Sequence, residues 1–106
     1  MSAYMHERRL AEKSRYNDRH VQETILRRID KVVAKHNAFY DKRNLDRPRF
    51  PHYEVSRPEA ARLCAAADIR KPRVGYIVDL VYDADKDVTW EMHNKSGTFY
   101  LSAVYH

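Results

Sequence analysis

The stretch Val74–Tyr105, VGYIVDLVYDADKDVTWEMHNKSGTFYLSAVY, decides the fold. It is rich in Val, Ile, Tyr, Trp and Thr, and its apolar residues recur at a period of two, as on a pleated, half-buried surface. Polar clusters at Asp83–Asp87 and Lys95–Gly97 divide it into three runs, Val74–Tyr82, Val88–Asn94 and Thr98–Tyr105. The spacing predicts a three-stranded antiparallel meander with turns at Ala84–Lys86 and Ser96–Gly97. In that register one face, from Tyr76, Val78, Leu80 and Tyr82 through Val88, Trp90 and Met92 to Phe99, Leu101, Ala103 and Tyr105, is almost wholly apolar and has to be covered. Ile77, Asp79, Val81, Thr89, Glu91, His93, Tyr100, Ser102, Val104 and His106 fall on the other. A slip of one residue in the first turn exchanges the faces of the first run.

Upstream of this stretch the period becomes 3.6. Ser56-Arg57-Pro58-Glu59 opens a short helix, with Ser56 as N-cap, Pro58 in the first turn and Glu59 placed to reach back as a capping box. The helix carries small side chains, Cys64 among them as a buried core residue, and has to end by Pro72. Further upstream, Val21, Ile25, Leu26, Ile29, Val32, Val33, Phe39 and Tyr40 trace one face of a longer helix. Asp18 fits its N-cap, and it should fade near Lys42–Asn44, before Pro48 and Pro51. Ser2 caps a further helical segment over Ala3–Tyr16, joined to the next helix or broken from it at Asn17–Asp18. Asn44–Val55 reads as a connector. The fold class is therefore α+β, with an N-terminal helical region of one long or two helices, a short capped helix, and a meander packed on the helices. A chain of 106 residues suits one domain over 1–106.

The formal charge is +5, with 20 Lys and Arg against 15 Asp and Glu. Residues 1–49 hold 13 basic and 7 acidic residues, a net of +6; residues 50–73 add +2, and residues 74–106 carry −3. Charged residues make up 33% of the chain, so no run approaches the ~20 apolar residues of a membrane span. Residues 1–20 lack the apolar core of a secretion signal, which leads to the expectation of a cytoplasmic protein. One cysteine excludes an internal disulfide. With two glycines, Gly75 and Gly97, the glycine-rich phosphate loops of common nucleotide-binding folds cannot form. His6, His20, His36, His52, His93 and His106 have no spacing that puts two on one helix face, so neither a metal nor a cofactor is expected.

Arg27, Lys31 and Lys35 follow at four-residue steps beside Arg28, and Arg8, Arg9, Lys13, Arg15 and Arg19, with Tyr16, form a second basic cluster. Lys and Arg at this spacing can meet successive phosphates, and interleaved aromatics can stack bases. An ordinary solvated helix face is the plainer reading, and a Glu23–Arg27 pair at i,i+4 fits it. On the predicted outer sheet face, Glu91 lies between Asp79 and Ser102, and His93 lies beside Tyr100. Glu91 with His93 or His106 has the makings of a general acid–base pair. Over residues 56–106 this arrangement is similar, at the level of fold alone, to small bacterial ribonucleases of the barnase type and to RelE-type toxins. The resemblance implies metal-independent RNA cleavage, with cations lent by the helices. RelE-type proteins usually begin with a strand, and none is expected here.

The first functional reading is a small, basic, non-enzymatic binding protein that contacts nucleic acid or a protein that handles it. Size and lack of motif suit a regulator or inhibitor of the kind encoded by phages and mobile elements. The alternatives are the ribonuclease and a protein–protein adaptor or homodimer built on the Val21–Tyr40 face.

Overall fold

The computed structural model describes residues 19–48 and 52–106. Helix α1 spans Arg19–Lys42, strand β1 His52–Val55, helix α2 Arg57–Ala66, and strands β2, β3 and β4 span Ile77–Asp83, Val88–Lys95 and Thr98–Tyr105. The architecture is α+β, with an antiparallel sheet in the order β1-β4-β3-β2. The expected meander β2–β4 is present, but the sheet has four strands. His52–Val55, expected as connector, pairs with β4 from His52–Ser102 to Val55–Phe99 and delivers Tyr53 and Val55 to the covered face. The Asp18 N-cap and the Ala3–Tyr16 helix lie outside the described residues.

Both helices stop without glycine. Asn44 takes the left-handed conformation at φ 53°, while the Leu45 N–H donates to the Tyr40 carbonyl (2.9 Å) and the Asn44 N–H to that of Asp41 (3.2 Å). Asp68 does the same at φ 54° after α2: the Ile69 N–H donates to the Cys64 carbonyl (2.9 Å) and the Asp68 N–H to that of Ala65 (3.1 Å). These are two Schellman closures, each followed by an apolar residue. At the start of α2, Ser56 Oγ accepts from the Glu59 N–H at 3.2 Å, as its sequence predicts. The reciprocal half of the capping box is replaced, because the Glu59 carboxylate takes Arg28 and Arg62 instead. Beyond α1, Arg47 grips Asp41 through two parallel bonds (3.2 and 2.6 Å), which holds the Asp41 carboxyl below its usual range.

The core joins Ile25 and Ile29 of α1, Leu63 and Cys64 of α2, and Leu80, Val81, Met92 and Leu101 of the sheet, all 0–1% exposed. Residues along β2 change faces because Leu80 is an extra residue: Asp79 pairs with Glu91, yet Val81 already pairs with Trp90. The bulge puts Leu80 and Val81 both inward and turns Tyr82 outward, where its hydroxyl bonds the Asp87 carboxylate. Val81 and Tyr82 are therefore on the faces opposite to those expected. Tyr76, just before β2, and Tyr105, at the end of β4, both expected under the helices, are about two-thirds exposed. Lys95 pairs with Thr98 across Ser96 and Gly97, both at positive φ, the tight two-residue hairpin its sequence signals.

On the amphipathic face of α1, Ile25 and Ile29 are fully buried, and Val21, Leu26, Val32 and Val33 pack against the core. Ile29→Ala should lower the unfolding free energy in urea by about 2–5 kcal/mol, the range for emptying a fully buried aliphatic site. Lys35→Ala, at an exposed position of the same helix, should change it by less than about 0.5 kcal/mol. Equal effects of the two substitutions would contradict this orientation of α1.

Candidate nucleic-acid interface and the outer sheet face

Since Ile25 and Ile29 point into the core, the 3.6-residue period turns Arg27, Lys31 and Lys35 outward, and all three are exposed. Among the described residues none of them forms an ion pair. The expected Glu23–Arg27 pair is absent: Glu23 Oε1 meets Arg19 Nε at 3.3 Å, and Arg27 Nε donates to the Glu23 main-chain carbonyl. The row runs on through Phe39, 48% exposed and not core-facing as its sequence position suggests. Arg43 lies over the Phe39 ring, 3.9 Å from its centroid, and donates to the Phe39 carbonyl at 3.3 Å. Five positions at four-residue steps thus cover about 24 Å at helical rise.

Arg28 leaves this row. Its Nη1 lies 3.4 and 3.5 Å from the two carboxylate oxygens of Glu59, which also takes Arg62 at 3.1 Å. Arg28 thus ties α1 to α2 and has less charge to offer a ligand. Arg8, Arg9, Lys13, Arg15 and Tyr16 lie outside the described residues. Beside the row a groove of about 290 Å³ opens between α1 and the β1–α2 junction. Lys31, Lys35 and His36 form one wall; Glu54, Ser56 and Glu59 form the other. His36 Nε2 is bonded to the Glu54 carbonyl at 3.0 Å, and its ring packs on Tyr53.

On the outer sheet face Glu91 pairs with Asp79 on β2 and Ser102 on β4, and His93 pairs with Tyr100, the neighbours that the strand pattern predicts. Strand β1 adds His52 opposite Ser102 and Glu54 opposite Tyr100. The His52 ring stands 4.3 Å from Tyr100 and 5.4 Å from His93, and Ser102 Oγ lies 2.7 Å from His93 Nε2. His52 is the member that sequence reasoning missed, because the alternation His-Tyr-Glu-Val is only four residues long. His106 does not join them. Its Nε2 bonds Thr89 Oγ1 at 2.7 Å, about 13 Å along β3 from His93 at strand rise.

Burial lowers the pKa of both clustered histidines below the ordinary 6.5; for His52 the charges of His93 and Lys95 act in the same direction. The imidazoles are thus neutral at pH 7, and the face presents the carboxylates of Glu54, Asp79 and Glu91 against the ammonium of Lys95. Among the described residues no group of three His, Cys, Asp or Glu side chains is placed to hold a metal ion, and no helix is long and apolar enough to cross a membrane.

The depressed histidines link stability to acid. Well above pH 6.5 both are neutral in the folded and unfolded chains alike; as the pH approaches and passes 6.5 the unfolded chain takes up protons first. The urea midpoint should therefore fall as pH drops from about 6.5 towards the folded-state values, and His52→Asn combined with His93→Asn should flatten the fall. A midpoint rising over that window would contradict the lowered pKa of the two rings. No protein-family model, curated protein or solved structure matches this chain.

Proposed function

We propose that this chain is a non-enzymatic nucleic-acid-binding module that holds successive phosphates along the exposed row of α1. The observation that carries this reading is the line of Arg27, Lys31 and Lys35, exposed, outside every ion pair among the described residues, and mounted on a helix whose other face is locked into the core. Rigid mounting matters because the helix fixes the spacing of the three positions, so no backbone has to be ordered on binding. The Phe39–Arg43 stack ends the row with an aromatic face on which an unpaired base can rest. The mode of action is occupancy, in which the bound strand is shielded from other proteins. Cleavage has no part in this mode of action, and RNA incubated with the protein in chelator should be recovered intact.

Three phosphate contacts, at a slope of roughly −0.7 to −0.9 each, require affinity to fall on the order of tenfold or more between 50 and 200 mM salt. Titration of labelled RNA and DNA checks this. Lys31→Gln with Lys35→Gln should weaken binding and reduce the magnitude of the salt slope by roughly 1.4–1.8. Binding that is absent or insensitive to salt would contradict the proposal.

A further inference from the structure

At one end of the sheet, the segment from Ile69 to Tyr76 joins α2 to β2 and carries Arg70, Lys71 and Arg73, all exposed. It is firmly held. Asn94, buried in β3, donates through Nδ2 to the Pro72 carbonyl at 3.0 Å and accepts at its own carbonyl from the Gly75 N–H at 2.8 Å. The Tyr76 N–H closes a turn onto the Arg73 carbonyl at 3.0 Å, with Gly75 at φ +84°. Asn94 Oδ1 also accepts from the Gly97 N–H at 3.0 Å, so one side chain holds both this segment and the tip of the β3–β4 hairpin. The tip carries Lys95. Arg57, at the start of α2, places Nη2 3.6 Å from where a side chain at Gly97 would begin, and Lys71 Nζ lies 5.6 Å from the Phe99 ring centroid.

Five exposed cations thus lie on three chain segments that come together at the hairpin tip, and among the described residues none of them forms an ion pair. Val74 and Tyr76 stand among them, 61% and 64% exposed. An exposed Tyr beside unpaired cations on a rigid frame matches the chemistry of a single strand, whose phosphates meet the cations and whose unpaired bases stack on the ring. We infer that this end of the molecule binds single-stranded nucleic acid, with phosphates on Arg57, Arg70, Arg73 and Lys95 and a base on Tyr76. The inference rests on the proposed function and extends it. Ser56 lines the groove beside Lys31 and Lys35 and precedes Arg57 in the chain, so one strand can pass from α1 over the start of α2 to the hairpin tip.

The test is fluorescence anisotropy with a labelled oligothymidylate of about 20 nucleotides and a duplex of equal length, at 50 and 200 mM salt. Arg70→Gln with Arg73→Gln should weaken single-strand binding at least fivefold and reduce the magnitude of the salt slope by roughly 1.4. Arg70→Lys with Arg73→Lys should keep the slope. Tyr76→Ala should weaken binding by roughly five- to a hundredfold with the slope unchanged. Should the glutamine pair fail to fold, the lysine pair and Tyr76→Ala still decide the matter. Wild-type affinity in the glutamine pair and in Tyr76→Ala, with loss in Lys31→Gln/Lys35→Gln, would overturn this inference and leave the α1 reading standing. Loss in the first two with none in the last would uphold the inference and overturn the α1 reading. A wild-type protein that binds no oligonucleotide would overturn both. Equal affinity for duplex, or displacement by poly-glutamate at matched charge, would overturn the assignment to a single strand.

Discussion

The insertion of Ile25 and Ile29 between the sheet and α2 is the contact on which the rest of the molecule depends. Both side chains are fully buried, and each contributes about 1.5–3 kcal/mol relative to exposure. Successive helical residues are about 100° apart, so two anchors one turn apart leave α1 no freedom to rotate. The directions of Arg27, Lys31, Lys35 and Phe39 follow from that constraint. The electrostatics of the surface are thus set by packing in the interior. The Arg28–Glu59 pair, only part-buried, adds alignment between α1 and α2 more than stability.

The connectors reach their sharp geometry with few glycines. Asn44, Asp68, Asp87 and Ser96 all take positive φ, a conformation that costs most residues about 1–2 kcal/mol and costs Asn and Asp less through local hydrogen bonding. At Asp83 the carboxylate accepts from the Asp85 and Lys86 N–H groups, holding the β2–β3 turn. Asn94 performs a comparable task at the opposite end of β3, tying a basic segment to a basic hairpin. Short polar side chains therefore do most of the positioning, and the long cations are left facing solvent.

Long periodic elements were legible in the sequence: α1 from its apolar face, α2 from Ser56 and Pro58, and the β3–β4 hairpin from Ser96–Gly97. The strand neighbours of Glu91 and His93 followed from the same alternation. What escaped were features carried by one residue or a few. Strand β1 has four residues between Pro51 and Ser56, too few for a period to register, and its loss hid His52. The Leu80 bulge shifts the phase of β2 without any mark in the local pattern. Arg28 and Phe39 were misplaced because helical spacing assigns a face but not what a neighbouring element brings to it; Glu59 of α2 draws Arg28 inward. The hairpin-tip cations are distant in sequence and become one surface only through the hydrogen bonds of Asn94.

Surface charge follows the same division of labour. The exposed face of α1 carries cations outside any ion pair among the described residues, and the outer sheet face carries carboxylates and two histidines of lowered pKa. A backbone-amide NMR titration with a short oligonucleotide tests this division most directly. Shifts confined to α1 around Lys31–Phe39 and to the segment around Arg70–Tyr76, with His52, Glu91, His93 and Ser102 silent, are what the account predicts. Shifts centred on His52, Glu91, His93 and Ser102, with α1 silent, would contradict it.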